Sequence, residues 1–441
     1  MLMGWSMPES LAQSQEIAIN CNPAKPSQHA GKAQAKGHVR AMLHDVRSAH
    51  LAGKHKKAKH RIRRYLNSHH ARLVAAELAR RAMKPHPQLP KALVPSIASG
   101  LDPWVGTTEE VRVNMIPKDS GYGDYRLTMD FGPENRALQH LILGALKVIA
   151  DLHPHQFGSG NGGMHAAIKH VAQAMKDGFV WAVEMDLENC FWSFDADKVA
   201  DLLPLPKEVT EQALLARNLN LVPGNLLDLL GGVSGGVHDV PYGSPHTPHF
   251  GPACGLGILG AQILAEARRG IPQGSAASPL LAEMLLAPAL KQLPTGGKVF
   301  AYLDNFLIMA KSEDDAVSMA KALGCALKAH PAGPLRPKIK GRFHPGEPIE
   351  FLGHRLTVQH GMVIIEPSPL NQQKFEVTMK LELARIKENS LSPAARARKV
   401  RELKTYVRSW ASAFKLWPQA EIHKKQWLVK IAGCIVISDQ A

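Results

Sequence analysis

Hydrophobic positions recur at helical spacing from about Gly31 to Lys84, with Val39, Met42, Leu43, Val46 and Leu51 on one side and Lys, Arg and His on the other. The tract KPHPQLPKALVP then breaks that pattern with prolines and predicts a linker. Residues 111–131, VRVNMIPKDSGYGDYRLTMDF, read as two short strands around a Gly/Ser/Asp turn, a hairpin carrying Lys118 and Arg126. Helices are predicted near 137–152 and 164–176, followed by FVWAVEMDL as a strand running into a turn. The run between about Val222 and Leu256 is rich in Gly, Pro and His, which predicts an irregular loop or inserted flap. VFAY and NFLIMAK form a second tight hairpin with Leu303 and Asp304 at its tip, and SEDDAVSMAKALGCALKA follows as an amphipathic helix. Strands return around IEFLGHRL and MVIIEP, and from Pro369 to about Trp417 the pattern is helical and basic again.

Composition changes this picture in two ways. A chain of 441 residues, 45% of them hydrophobic, can bury a full core and divides into two or three subdomains. The net charge of +15 points to a polyanionic partner, because Lys and Arg that neutralise phosphates release condensed counterions. Residues 1–86 hold 16 Lys/Arg against 4 Asp/Glu, so most of the excess sits in one segment, GKHKKAKHRIRR at its centre. The five cysteines are scattered without C-x-x-C spacing, which excludes a disulfide framework or zinc ribbon and fits a reducing compartment. The first twenty residues do not read as a leader and no apolar run is long enough to span a bilayer, so a cytoplasmic, non-membrane protein is expected.

Two aspartates stand where two-metal phosphoryl-transfer chemistry requires them. That chemistry needs carboxylates on neighbouring strand ends, and magnesium completes its shell with water and substrate phosphates, so one or two carboxylates per ion suffice. Asp186, in AVEMDLENCFWSF, ends a predicted strand, and Asp304, in AYLDNFLI, sits at a predicted hairpin tip.

These segments carry a resemblance. AVEMDLENCFWSF resembles the first palm motif of reverse transcriptases, RRGIPQGSAASPLLAEMLLAP resembles their PQG motif, and AYLDNFLIMA resembles their Tyr-x-Asp-Asp hairpin, in the same order and spacing. IEFLGHRL is similar to the primer-grip strand and MIPKDSGYGDYRLTMDF to the fingers hairpin, so the resemblance covers roughly residues 111–357. The basic N-terminal helices and YVRSWASAFKLW resemble the extension and thumb of group II intron reverse transcriptases. The resemblance implies an α+β right-hand polymerase: a basic helical extension over 1–86, fingers over 87–180, a palm over 181–365 with fingers segments and the 222–256 insertion, and a helical thumb over 366–441.

It further implies that Asp186 and Asp304 hold Mg2+, with Mn2+ able to substitute, and that Asn305 shares the catalytic hairpin. By the same resemblance Phe191 collides with a ribose 2′ hydroxyl, and Gln273 and Gly274 lie beside the new base pair. Lys118 and Arg126 would meet the triphosphate, and Lys340, or Lys338 beside it, the leaving pyrophosphate. The implied partners are an RNA template, a DNA or RNA primer and dNTPs. No His/Cys-bearing endonuclease module follows the C-terminal helices, so a stand-alone enzyme is expected, with antiphage defence and a dedicated structured non-coding RNA suggested by analogy alone.

Two departures bear on this reading. The hairpin reads Tyr-Leu-Asp-Asn, so Asn305 replaces a second aspartate; if the preceding strand persists through Glu188, then Glu184, Asp186 and Glu188 share one face and Glu188 could restore the charge, although a surface-facing Glu188 is the preferred reading. The Gly/Pro/His run offers His238, His246, His249 and Cys254, whose spacing matches no standard zinc site. Three alternatives stay open: an RNA-directed RNA polymerase, disfavoured by Phe191 and the PQG segment; template-independent or protein-primed DNA synthesis by the same site; and a degenerate RNA-binding relic, with Asn305 as its symptom.

Overall fold

The computed structural model describes residues 28–83, 89–117, 125–225, 256–387 and 391–436. Lys118 and the four residues weighed as zinc ligands lie outside these. Among the described residues the chain is α+β, with antiparallel and mixed sheets flanked by helices.

The chain begins with helices α1 (Gln28–Leu51), α2 (His55–Leu66) and α3 (His69–Ala82). In α2 the buried positions are Ala58, Ile62, Tyr65 and Leu66, one stripe at helical spacing, which leaves the lysines on the solvent side. Ala71, Ala75, Ala76 and Ala79 of α3 are buried and small, letting it pack closely on α5 (Pro133–Ile149), which follows α4 (Val94–Gly100). Tyr65 joins that interface by donating its hydroxyl to Leu141 O at 3.0 Å. The basic segment is therefore part of the main core, where an appended arm was expected from charge alone. The predicted linker also ends early, because Val94 is buried and Pro95 fits the first turn of α4, where a missing N–H costs nothing.

β1 (Glu110–Pro117) and β2 (Tyr125–Phe131) pair antiparallel as predicted, and β4 (Asn220–Pro223) joins β1 in parallel after β3 (Trp181–Leu187). A strand thus covers residues assigned to the start of the irregular loop, and 226–255 lie outside the described residues. Helix α6 (Gly163–Lys176) precedes β3; α7 (Cys190–Ser193), α8 (Ala196–Leu202) and α9 (Lys207–Leu214) follow it. Next come α10 (Leu256–Ala267) and α11 (Ser278–Lys291).

The central sheet runs β5–β6–β3–β7, with β5 (Gly297–Tyr302), β6 (Asn305–Ala310) and β7 (Pro337–Phe343) all antiparallel to their neighbours. Both faces are covered. Val183, Met185, Phe306 and Ile308 pack toward Met319, Leu323 and Leu327 of α12 (Glu313–Lys328), while Ala182, Phe300, Leu307 and Met309 pack toward Ile168 and Val171 of α6. A second sheet of β8 (Ile349–Phe351), β9 (His354–Gln359) and β10 (Met362–Pro367) leads into α13 (Pro369–Lys387), α14 (Pro393–Ala413) and α15 (Ala420–Val436). These last helices enclose their own cluster around Phe375, Trp410 and Trp427.

Candidate active site

Residues from five separated stretches meet in one cleft of about 460 Å³. The pleat explains the centre: β3 presents Ala182, Glu184 and Asp186 on one face, apolar inside and acidic where the strand emerges. Asn305 lies directly across from Asp186 in the register, and Asp304 precedes it at the tip of the two-residue hairpin between β5 and β6. The Leu187 N–H donates to Asp304 O at 3.1 Å, tying the tip to the end of β3. Leu303 takes φ +56°, a conformation costly for a side chain branched at Cγ and held only where the surroundings enforce it.

The carboxylates face each other with limited solvent. Burial pushes the Asp304 pKa up, the nearby Asp186 charge pushes it further, and Lys340 and Arg126 oppose the shift. Cys190 lies beneath them, and burial reinforced by both aspartates drives its thiol pKa well up, so it stays protonated. Asn305 fills a specific place in this network. Its amide nitrogen donates to Asp304 Oδ1 at 3.0 Å, and its carbonyl oxygen accepts from Lys340 Nζ at 3.2 Å. Lys340 Nζ is also 3.3 Å from Asp186 Oδ1.

Sequence reading left Lys338 and Lys340 unseparated, and the structure separates them. The register between β3 and β7 shifts at Glu184/Met185, with Lys340 as the extra residue of a bulge, and such a bulge re-aims its side chain. Lys338 instead lies 3.8 Å from Glu188 Oε1. Glu188 is exposed and beyond the end of β3 at Leu187, since the left-handed Asn189 (φ +51°) turns the chain there. The expected alternation of Glu184, Asp186 and Glu188 on one face therefore stops at Asp186.

Phe191 lines the cleft from α7 and leans on the main core. The RGIPQG segment bridges it to β2: Ile271 N–H donates to Phe191 O at 2.9 Å, and Met129 N–H donates to Gln273 O at 2.8 Å. Gly274 adopts φ +114°, and a Cβ there would be driven onto Met129 O, so a glycine is required by the docking of this segment on β2. Gln273 and Arg126 line the cleft opposite the aspartates.

The oxygen-only donor set suits a hard divalent cation. Two carboxylates that repel each other, with Lys340 and Arg126 offsetting part of that repulsion, and an amide oxygen beside them match magnesium, which keeps several waters. Among the described residues no group of three or more His, Cys, Asp or Glu is arranged around a metal position, so any ion here would draw the rest of its shell from water and substrate. Sequence reasoning missed Trp192 and Cys190 as cleft residues. It also missed Glu283, although a lone acid inside the apolar run SPLLAEMLLAPALK signals a buried, partnered charge.

No protein-family model matches this chain, and no curated protein does. Among solved structures it is similar to telomerase from Candida albicans in complex with a TWJ fragment of telomeric RNA, at 11% identity and a TM-score of 0.33. That match covers 79% of this chain and 61% of the other, so the chain spans less than two thirds of that structure's length. No helix among the described residues is long and apolar enough to cross a membrane.

Proposed function

We propose that this chain is a magnesium-dependent nucleic-acid polymerase of the reverse-transcriptase type, extending a primer 3′ end with dNTPs along an RNA template. The observation that carries the reading is the convergence of Asp186, Asp304, Phe191, Gln273, Arg126 and Lys340 on one cleft from segments up to 214 positions apart in sequence. In this reading the fingers span about 87–180, the palm 181–365 and the thumb 366–441.

Asp186 and Asp304 would hold magnesium. A bound ion would supply Lewis-acid activation of the primer 3′ hydroxyl and charge compensation for the leaving phosphates. The chain's own residues do the rest. Arg126 offers a planar fork to phosphate oxygens from the exposed side of β2, and Lys118, outside the described residues, would share that role. Lys340 Nζ stands 3.3 Å from Asp186 Oδ1, where it would meet a departing negative charge. Phe191 occupies the space in which a 2′ hydroxyl would sit. Gln273 is fixed through its own carbonyl to β2, so the templating base pair would meet a rigid surface. The exposed lysines and arginines of α2 would follow the RNA backbone.

The relic reading draws on one observation, the Lys340 ammonium standing between Asp186 and Asn305 where a cation is wanted. A primer-extension assay on an RNA template separates the two. The polymerase reading expects dNTP incorporation by wild type, with a preference over rNTPs, and background levels from Asp186→Ala or Asp304→Ala that still bind RNA. Substantial incorporation by either variant overturns it, and none by wild type with magnesium or manganese favours the relic.

A further inference from the structure

Glu283 lies in α11 among Leu280, Leu281, Leu285 and Leu286, and none of its surface is exposed. A carboxylate buried in an apolar helix survives only when its oxygens are satisfied. Here they accept from Gly158 N–H at 2.7 Å and Ser159 N–H at 2.6 Å. The helix reinforces the arrangement, since Gln156 Nε2 donates to Glu283 O at 2.8 Å. Segment 155–157 in turn pairs with the outer edge of β5, Phe157 N–H donating to Ala301 O at 2.9 Å and Ala301 N–H to His155 O at 2.8 Å. One carboxylate thus ties α11 to the 155–159 segment, and through Gly158 that segment meets the hairpin tip.

The contact on the tip is the consequential one. Leu303 holds the strained φ +56° next to Asp304, and nothing in a leucine favours that conformation. Its side chain is packed so closely on Gly158 that a Cβ there would lie 2.7 Å from Leu303 Cδ2 and 2.8 Å from Glu283 Oε1. The Leu303 side chain is therefore backed by Gly158, whose N–H the carboxylate holds.

We propose that Glu283 is a positioning residue for Asp304, holding Gly158 against the Leu303 side chain and so fixing the direction in which the hairpin presents its carboxylate. The proposal rests on the polymerase reading for its effect on catalysis, but the grip on the hairpin stands apart from it. Glu283→Gln keeps the size of the side chain and replaces one acceptor oxygen with an NH2 group that faces N–H donors. Gly158→Ala disturbs the same contact from the other side and serves if the first variant does not fold.

Two measurements test this. Hydrogen exchange of peptides covering 300–306 should quicken about ten-fold in either variant, with peptides from α13–α15 unchanged. Primer extension should lose about ten-fold or more in kcat, since small misplacement of a reacting group is costly, while KM for dNTP and affinity for primer–template stay within about two-fold. Unchanged local exchange in both variants overturns the proposal, as does an unchanged kcat with faster exchange. If wild type incorporates nothing, the polymerase reading falls by itself. The exchange result then decides whether Glu283 grips the hairpin.

Discussion

The cleft and the N-terminal helices are both charged surfaces, built in opposite ways. In the cleft, charges of both signs come from distant segments, and each is held by backbone contacts to another segment: Asp304 to Leu187, Gln273 to Met129, and Ile271 to Phe191. In α2 the cations come from one stretch of twelve residues and stand side by side on an exposed face. A second cleft lies there, lined by Lys57, His60, Arg61 and Arg64; among the described residues Arg61 has a fixed partner, donating to Asp45 O at 2.6 Å. The first surface is a geometry and the second is a charge density. Geometry fails as a unit, whereas charge density erodes in steps.

The comparison breaks most visibly at Asp304. Asp304→Ala should lower incorporation by about a thousand-fold or more, the equivalent of several kcal/mol of transition-state stabilisation, while primer–template affinity holds. Next is Gly274→Ala, which forces a Cβ onto Met129 O and should cost about a hundred-fold in kcat with a lower Tm, read by single-nucleotide extension and thermal unfolding. Both losses come from a single atom group, as a unit-like site requires.

Asn305→Asp sharpens the contrast within the cleft. It removes the donor to Asp304 and adds a third negative charge, so the metal-free protein should melt lower, by about 1–2 °C. The same charge should lower the magnesium concentration giving half-maximal activity by about two- to five-fold. A titration that does not move, with wild type active, removes Asn305 from the ion's surroundings.

The smallest effects belong to α2. Each of Lys56→Ala, Lys57→Ala, Lys59→Ala and Arg63→Ala should weaken RNA binding only about two-fold, and the four together should reduce the slope of log affinity against log salt by up to about one for each phosphate no longer neutralised. Point changes are needed because deleting the segment would strip Ala71, Ala75 and Tyr65 from α5. One substitution with the effect of all four would make this surface a site as well.

What the sequence disclosed follows the same division. The strands carrying Asp186 and Asp304 were readable because alternation and a tight turn are local, and so was the charge of α2. The β4–β1 parallel pair was not, since its partners are more than a hundred residues apart and the second is four residues long. The choice between Lys338 and Lys340 was also hidden, because it depends on a bulge that only pairing with β3 defines. The resemblance singled out Gly274 beside the new base pair, but the neighbour that a Cβ there would strike, Met129 O, is a tertiary fact. Charge misled at one point: the excess over residues 1–86 suggested an appendage, whereas the alanines of α3 bind it into the core.

The bulged strand β7 has a consequence for the behaviour of the protein in company. It is the outer strand of the central sheet, with one row of backbone groups open to any extended chain that drifts alongside. Its sequence PKIKGRF opposes such pairing with a proline, a kink and three cations, which repel a second copy of the same edge. Lys338 and Lys340, which face the cleft, thus also guard against aggregation. Replacing both with apolar residues would leave a protein that both works less well and sticks to itself, and loss of solubility would then be mistaken for loss of chemistry unless the monomer is measured.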